Sequence, residues 1–281
     1  MVFFSESLAL SESAFFILRE LIREQTGIFF EDSKRDMLAD KLSNRVLERG
    51  YTSFLDYYYF LKYDAGARDE WLRVFDMITV NETYFWREQD HLDVLISHIV
   101  PEFYENHPGK QLTIWSAACS TGEEALSILM MLDMHGWLEK IPVHIRASDS
   151  SEQALQKARS GLYRDRSFRS LPPEIRERYF TEASGSWRID PRIHAMVDWK
   201  KINLISEEET RQVGSPHVIF CRNVFIYFRE DAIRKVIDRF YTLLPSPGYL
   251  FVGVSESLFK LPTKFELTEI GKTFIYKKLY K

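Results

Sequence analysis

At 281 residues the chain has room for one large domain or two modest ones, and its 45% hydrophobic and 28% charged content is that of an ordinary globular protein. A formal net charge of -4 argues against bulk nucleic-acid binding, which needs Lys and Arg in excess on one face. No apolar run approaches the roughly 20 residues that span a bilayer; Met1–Leu10 carries Glu6 and lacks a basic segment, so no signal peptide is expected; and two cysteines without metal-like spacing, Cys119 and Cys221, fit a reduced, cytoplasmic compartment and no metal.

The first 78 residues read as an all-helical domain. Phe15, Phe16, Leu18, Leu21 and Ile22 recur at helical spacing, and Gly27 follows as a stop. A second helix is predicted over Ser33–Arg49, with Met37, Leu38, Leu42 and Val46 as its apolar face. Lys34, Lys41, Arg45 and Arg49 share its other side, either as a solvated face or as a docking stripe. Further helices are expected around Phe54–Tyr63 and Glu70–Ile78, with no strand.

The pattern changes over residues 79–281. Strands are predicted at Leu112–Trp115, Val143–Ala147, His217–Phe220, Tyr249–Val254 and Thr273–Lys277, with helices at Glu123–Met134, Glu152–Arg159 and Asp231–Leu244. Strands alternating with helices of this length imply an α/β domain with a parallel sheet. Trp187–Ile189 and Met196–Trp199, among the turn signals Ser184-Gly185-Ser186 and Asp190-Pro191, suggest a small antiparallel insertion over about 180–202.

In open α/β sheets ligands sit beyond the carboxyl ends of the strands, and three such ends are unusual here. Ser116–Gly122 is a loop of small residues that lets backbone approach a ligand, followed by Glu123 and Glu124 at a helix start. That acidic pair would repel a phosphate and suits a cationic or amine-bearing ligand, unless it serves only the helix dipole. Asp149 could accept from both hydroxyls of a ribose or merely cap the next helix. Arg222, Asn223 and Tyr227 place polar groups at the cleft mouth, unless the arginine is purely structural.

Taken in order, Asn81-Glu82-Thr83-Tyr84-Phe85-Trp86-Arg87-Glu88, Ser-Ala-Ala-Cys-Ser-Thr-Gly-Glu-Glu at 116–124, Cys-Arg-Asn-Val-Phe-Ile-Tyr-Phe at 221–228 and Gly253-Val254-Ser255-Glu256-Ser257 resemble the CheR family of chemoreceptor glutamate methyltransferases. The resemblance covers nearly the whole chain. It implies a Rossmann-like S-adenosylmethionine-dependent methyltransferase domain with a small antiparallel β-subdomain, preceded by an all-α domain. It implies that Asn81, Thr83, Arg87, Glu124, Asp149, Asn203, Leu204, Cys221 and Arg222 line the S-adenosylmethionine site, and that Arg87 and Tyr227 stand near the transferred methyl. Which of Glu123 and Glu124 faces the ligand is open, because successive side chains of a helix point about 100° apart. Departures from the family are Ala125-Leu126 where Pro-Tyr is common, Ser150-Ser151 where many members carry a second acid, and Val254 where histidine is frequent.

The implied reaction gives glutamate methyl esters and S-adenosylhomocysteine, a protein-glutamate O-methyltransferase activity used in chemotactic adaptation. The implied partner is the cytoplasmic helical part of a methyl-accepting chemoreceptor, with no nucleic acid, no membrane insertion and a monomeric enzyme. A catalytically silent S-adenosylmethionine sensor or scaffold is the rival. A nucleic-acid methyltransferase would need a base-flipping pocket and a basic channel. A nicotinamide dehydrogenase would need the Gly-x-Gly-x-x-Gly loop that is absent here.

Overall fold

A computed structural model describes residues 8–259 and 261–279, so Glu6 and most of the segment weighed as a signal peptide lie outside the described residues. The chain divides into two compact units. One is Met1–Val80 together with Tyr227–Ile233, and the other is Asn81–Ile226 together with Arg234–Lys281.

The first unit is helical. α1 (Glu12–Thr26) starts at Ser11, whose side chain accepts from Ala14 N, and stops at Gly27, which takes the left-handed conformation. A 3₁₀ turn, Asp32–Lys34, precedes α2 (Arg35–Glu48), so the regular helix begins two residues later than predicted. α3 (Phe54–Tyr63) matches its expected span, and α4 (Ala67–Ile78) starts three residues earlier than expected. Phe15, Leu18, Ile22, Leu38, Leu42 and Tyr57 form the heart of its core. Two residues expected on apolar faces are exposed, Phe16 and Met37; Phe16 instead carries the Arg19 guanidinium 4.5 Å from its ring centre. Tyr227–Ile233 is tied in by Phe29 N donating to Tyr227 O at 2.9 Å, a bridge between Ile28 and Phe228, and Arg23 on Asp231 at 2.6 Å.

The second unit opens with α5 (Gln89–Val94), which passes through a π turn, Leu95–Ile99, into α6 (Val100–Asn106). There follow β1 (Leu112–Ala117), α7 (Glu123–Met134), α8 (Trp137–Lys140), β2 (Val143–Asp149), α9 (Glu152–Ser160), β3 (Leu162–Tyr163), α10 (Pro173–Tyr179), β4 (Phe180–Ala183), β5 (Ser186–Ile189), α11 (Pro191–His194), β6 (Val197–Lys201), α12 (Glu207–Arg211), β7 (Val218–Cys221), α13 (Glu230–Leu243), β8 (Gly248–Val252), β9 (Glu266–Ile270) and β10 (Thr273–Lys278). The main sheet runs β6-β2-β1-β7-β8-β10-β9. Its first five strands are parallel, and β10 and β9 close it as an antiparallel pair. β7 and β8 are buried at every residue, as strands covered on both faces must be.

β3, β5 and β4 make a separate antiparallel sheet. The strand foreseen at Met196–Trp199 is not part of that small sheet: it is β6, parallel to β2 at the edge of the main sheet. Its alternation of apolar and polar residues suits an edge strand as well as an antiparallel ribbon, and Trp199 packs against the main core.

Candidate active site

The parallel strands end along one edge of the sheet, with β1 and β7 adjacent. The order reverses at this point, where open α/β sheets bind ligands. After β1 the loop winds tightly, and Ala118, Ser120 and Gly122 have left-handed φ of 62°, 51° and 95°. Asp149, closing β2, holds it by accepting from Ser120 N at 2.9 Å while its other oxygen accepts from Ser151 N at 2.8 Å. Gly122 lets the Trp199 ring approach: an added Cβ would stand 2.6 Å from it. Ser120 Oγ is buried and has no hydrogen-bond partner among the described residues.

Glu123 and Glu124 point apart. Glu123 is buried and accepts from Thr121 Oγ1 at 2.6 Å and Ser167 Oγ at 2.9 Å; desolvation pushes its pKa above the usual carboxylate range. Glu124 turns to the strand ends, accepting from Ser116 Oγ and from Arg222 Nε, each at 2.6 Å. Arg222, just after β7, is itself buried and donates a further bond to the Arg87 carbonyl at 2.7 Å.

Two acids that the sequence reading passed over complete the arrangement. Glu88 lies 3.4 Å from Arg222 through Oε2 and accepts from Asn223 Nδ2 at 3.4 Å and Val254 N at 3.3 Å through Oε1. Burial alone would raise its pKa, but His91, 3.3 Å away, and the Arg222 charge outweigh that and bring it down to about 2. Glu256 accepts from Asn223 N and Gly253 N, each at 2.7 Å, and from Ile226 N at 3.3 Å, so one carboxylate clasps the ends of β7 and β8. Gly253 makes room for it, since a Cβ there would stand 2.8 Å from Glu256 and 2.7 Å from the Asn223 amide. Both acids sit inside the quoted motifs. The available signal was a carboxylate beside an arginine and one three residues after a strand-end glycine.

The remaining expected residues are placed as follows. Arg87 is half-buried and donates to the Glu82 carbonyl at 2.8 Å. Its segment, with Asn81 and Thr83, is fixed by Phe85 N on Ser167 O at 2.9 Å, by Trp86 N on Ser127 Oγ at 3.2 Å, and by Glu82 paired with Arg166 and Arg169. Asn203 and Leu204 follow β6 one residue beyond Ile202, whose N–H donates to the Asp149 carbonyl at 3.1 Å. Cys119 and Cys221 are buried, and desolvation pushes both thiols well up, so they stay neutral. Tyr227 belongs to the first unit. So do the four stripe cations. Arg45 is bidentate on Glu70, at 2.7 and 2.6 Å, Arg49 lies 3.7 Å from the same acid, and Lys41 donates to Met77 O at 2.9 Å; Lys34 is exposed.

A glutamate with two hydrogen-bonded oxygens, a strand-end aspartate and an orphan hydroxyl around a tight loop form an acceptor-rich set. It fits a ligand bearing hydroxyls and positive charge, and suits a polyphosphate poorly. Residues 81–274 match the family model "CheR methyltransferase, SAM binding domain" and residues 13–79 match "CheR methyltransferase, all-alpha domain". The chain belongs to the CheR methyltransferase family. It is 35% identical to Chemotaxis protein methyltransferase 2 of Vibrio cholerae over 98% of this chain and 96% of that one. It is 34% identical to the Chemotaxis protein methyltransferase of Escherichia coli K12 (94% and 91%) and 32% identical to Chemotaxis protein methyltransferase 1 of Pseudomonas aeruginosa (94% and 97%). The second unit is thus a CheR-type S-adenosylmethionine-binding domain, and the chain is an S-adenosylmethionine-dependent methyltransferase of chemotaxis. Its departures from the common CheR pattern have plain structural places: Ala125 and Leu126 are fully buried in the core, Ser151 caps α9, and Val254 is exposed.

Proposed function

We propose that this CheR-family chain transfers the methyl group of S-adenosylmethionine to glutamate side chains of a bacterial chemoreceptor. The observation that carries the reading is the cluster of Glu124 and Glu88 on the buried Arg222, which donates to the backbone of Arg87, in a chain of this family. In this reading Asn81, Thr83, Arg87, Glu124, Asp149, Asn203, Leu204, Cys221 and Arg222 surround the cofactor, with Asp149 toward its ribose and Glu124 toward its charged end. The cofactor supplies a methyl group already activated by its sulfonium. A glutamate of ordinary pKa, about 4.3, is ionised near neutrality, so the chain needs no general base and no metal. Its work is placement. Arg87 holds the target carboxylate by a charge-assisted hydrogen bond, and Tyr227 fixes the approach of the acceptor. Desolvation of carboxylate and sulfonium together favours their mutual neutralisation.

The receptor docks on Lys34, Lys41, Arg45 and Arg49, along α2 and at its two ends, and the enzyme works as a cytoplasmic monomer. Among the described residues no helix is long and apolar enough to cross a membrane. Lys34 and Arg49 are the stripe residues with exposed side chains, whereas Arg45 is committed to Glu70. The silent-sensor alternative finds no favour in the relatives, which are named as methyltransferases. The test is incubation with labelled S-adenosylmethionine and receptor-containing membranes. Base-labile label on receptor glutamates is expected. Cofactor binding without transfer would favour the sensor.

A further inference from the structure

A cleft of about 270 Å³ opens beside β8, on the side away from β1, and none of the expected site residues lines it. It lies between the loop Gly253–Ser257 and the hairpin β9–β10. That hairpin turns in two residues, Gly271 and Lys272, with Gly271 at φ 61°, so Lys272 is held at a tight tip. Strand alternation splits the hairpin into two faces. Ile270, Thr273 and Ile275 lie on one, where Ile275 is fully buried in the core and Thr273, beside the turn, also lines the cleft. The other presents Leu267, Phe274 and Tyr276, which line the cleft, and Glu269, which does not. Phe274 is 56% exposed and Val254, across the cleft, 75%. Among the ionisable lining residues, His91 and Glu256 are buried and only Lys272 is exposed.

We infer that this cleft receives an apolar side chain of the methyl-accepting helix, with Lys272 set against that helix's acidic surface. The inference rests on the proposed receptor-methylating function. Two observations select the occupant. Exposed Phe and Val side chains beside one exposed cation suit an amphipathic acidic partner and fit neither a nucleotide nor a free anion. The cleft is continuous with the active-site edge, because Glu256 lines it while accepting from Asn223 N and Gly253 N, and Val254 lines it while its N–H donates to Glu88.

The experiment uses the full chain with Lys272→Glu and, separately, Phe274→Ser, both at exposed positions. KM is measured for a cytoplasmic receptor fragment bearing the methylated glutamates, and S-adenosylmethionine affinity is measured by calorimetry. Each variant should raise the receptor KM about tenfold, the loss of one interface anchor, with cofactor affinity unchanged. A receptor KM within twofold of wild type in both variants overturns the cleft and leaves the methyltransferase reading intact. A parallel fall in cofactor affinity also overturns it, by assigning the cleft to the cofactor. A wild type that transfers no label to receptor removes the proposed function itself.

Discussion

Glu88 and Arg222 are the residues on which the second unit's strand ends depend. A carboxylate held near pKa 2 rather than the ordinary 4.5 stabilises the fold while ionised. That contribution is complete above about pH 5 and is lost as pH falls from the ordinary value toward 2. Glu88→Gln should therefore flatten acid unfolding between those limits, as followed by circular dichroism, and slow methyl transfer while the protein stays folded at pH 7. Arg222→Ala leaves Glu124 and Glu88 facing each other without their cation and should cost about 3–5 kcal/mol in denaturant unfolding. Of this network the sequence disclosed Arg222 and the acidic pair as a strand-end group. It withheld which glutamate turned inward, because that depends on Ser167 and Ser116, 44 residues ahead of Glu123 and 8 behind Glu124. Glu88 was hidden for a similar reason: its partners come from two later strand ends.

Among the elements, α2 was read from sequence as one apolar and one basic face, and Leu38, Leu42 and Val46 of the apolar half enter the core of the first unit while Met37 is exposed. The basic half divides by a contact no periodicity reveals, because Glu70 of α4 is buried beneath it and also accepts from Tyr57 at 2.7 Å. Desolvation opposes the ionised Glu70, yet hydrogen bonds from Arg45 and Tyr57 keep its pKa below the usual value. Reversing Arg45 would confuse docking with folding. Arg45→Ala should destabilise the chain by about 3 kcal/mol by stranding a buried carboxylate. Lys34→Glu should leave the thermal midpoint alone and raise the receptor KM, more so at low salt; an unchanged KM would show a merely solvated face. Gly122→Ala places a Cβ against Trp199 in a left-handed residue and should cost about 2–4 kcal/mol. β1, β2, β7 and β8 were legible because their runs are apolar and bounded by turns, whereas β6 alternates and was read into the antiparallel insertion. β9 was not, since Glu266–Ile270 is mostly exposed and is made a strand by β10.

For the whole molecule, ligand linkage offers a check on the proposed cofactor contacts. S-adenosylmethionine at 100 times its Kd should stabilise the folded chain by about 2.7 kcal/mol. Asp149→Ala should reduce its binding by about 1–3 kcal/mol, read as a smaller ligand-induced rise in melting temperature; an undiminished rise would remove Asp149 from the ligand's reach. The path of the chain also has a genetic consequence. It crosses between the units after Val80, after Ile226 and after Ile233, because Tyr227–Ile233 packs with the first 80 residues. The protein is therefore not two cassettes joined by a hinge, and a gene truncated before residue 81 would encode a seven-residue stretch stripped of its binding partners. Conversely, a single protease nick between residues 80 and 81 should yield fragments that still co-elute on size exclusion, the larger one gripping the smaller by a donated segment, as in an enzyme split for complementation.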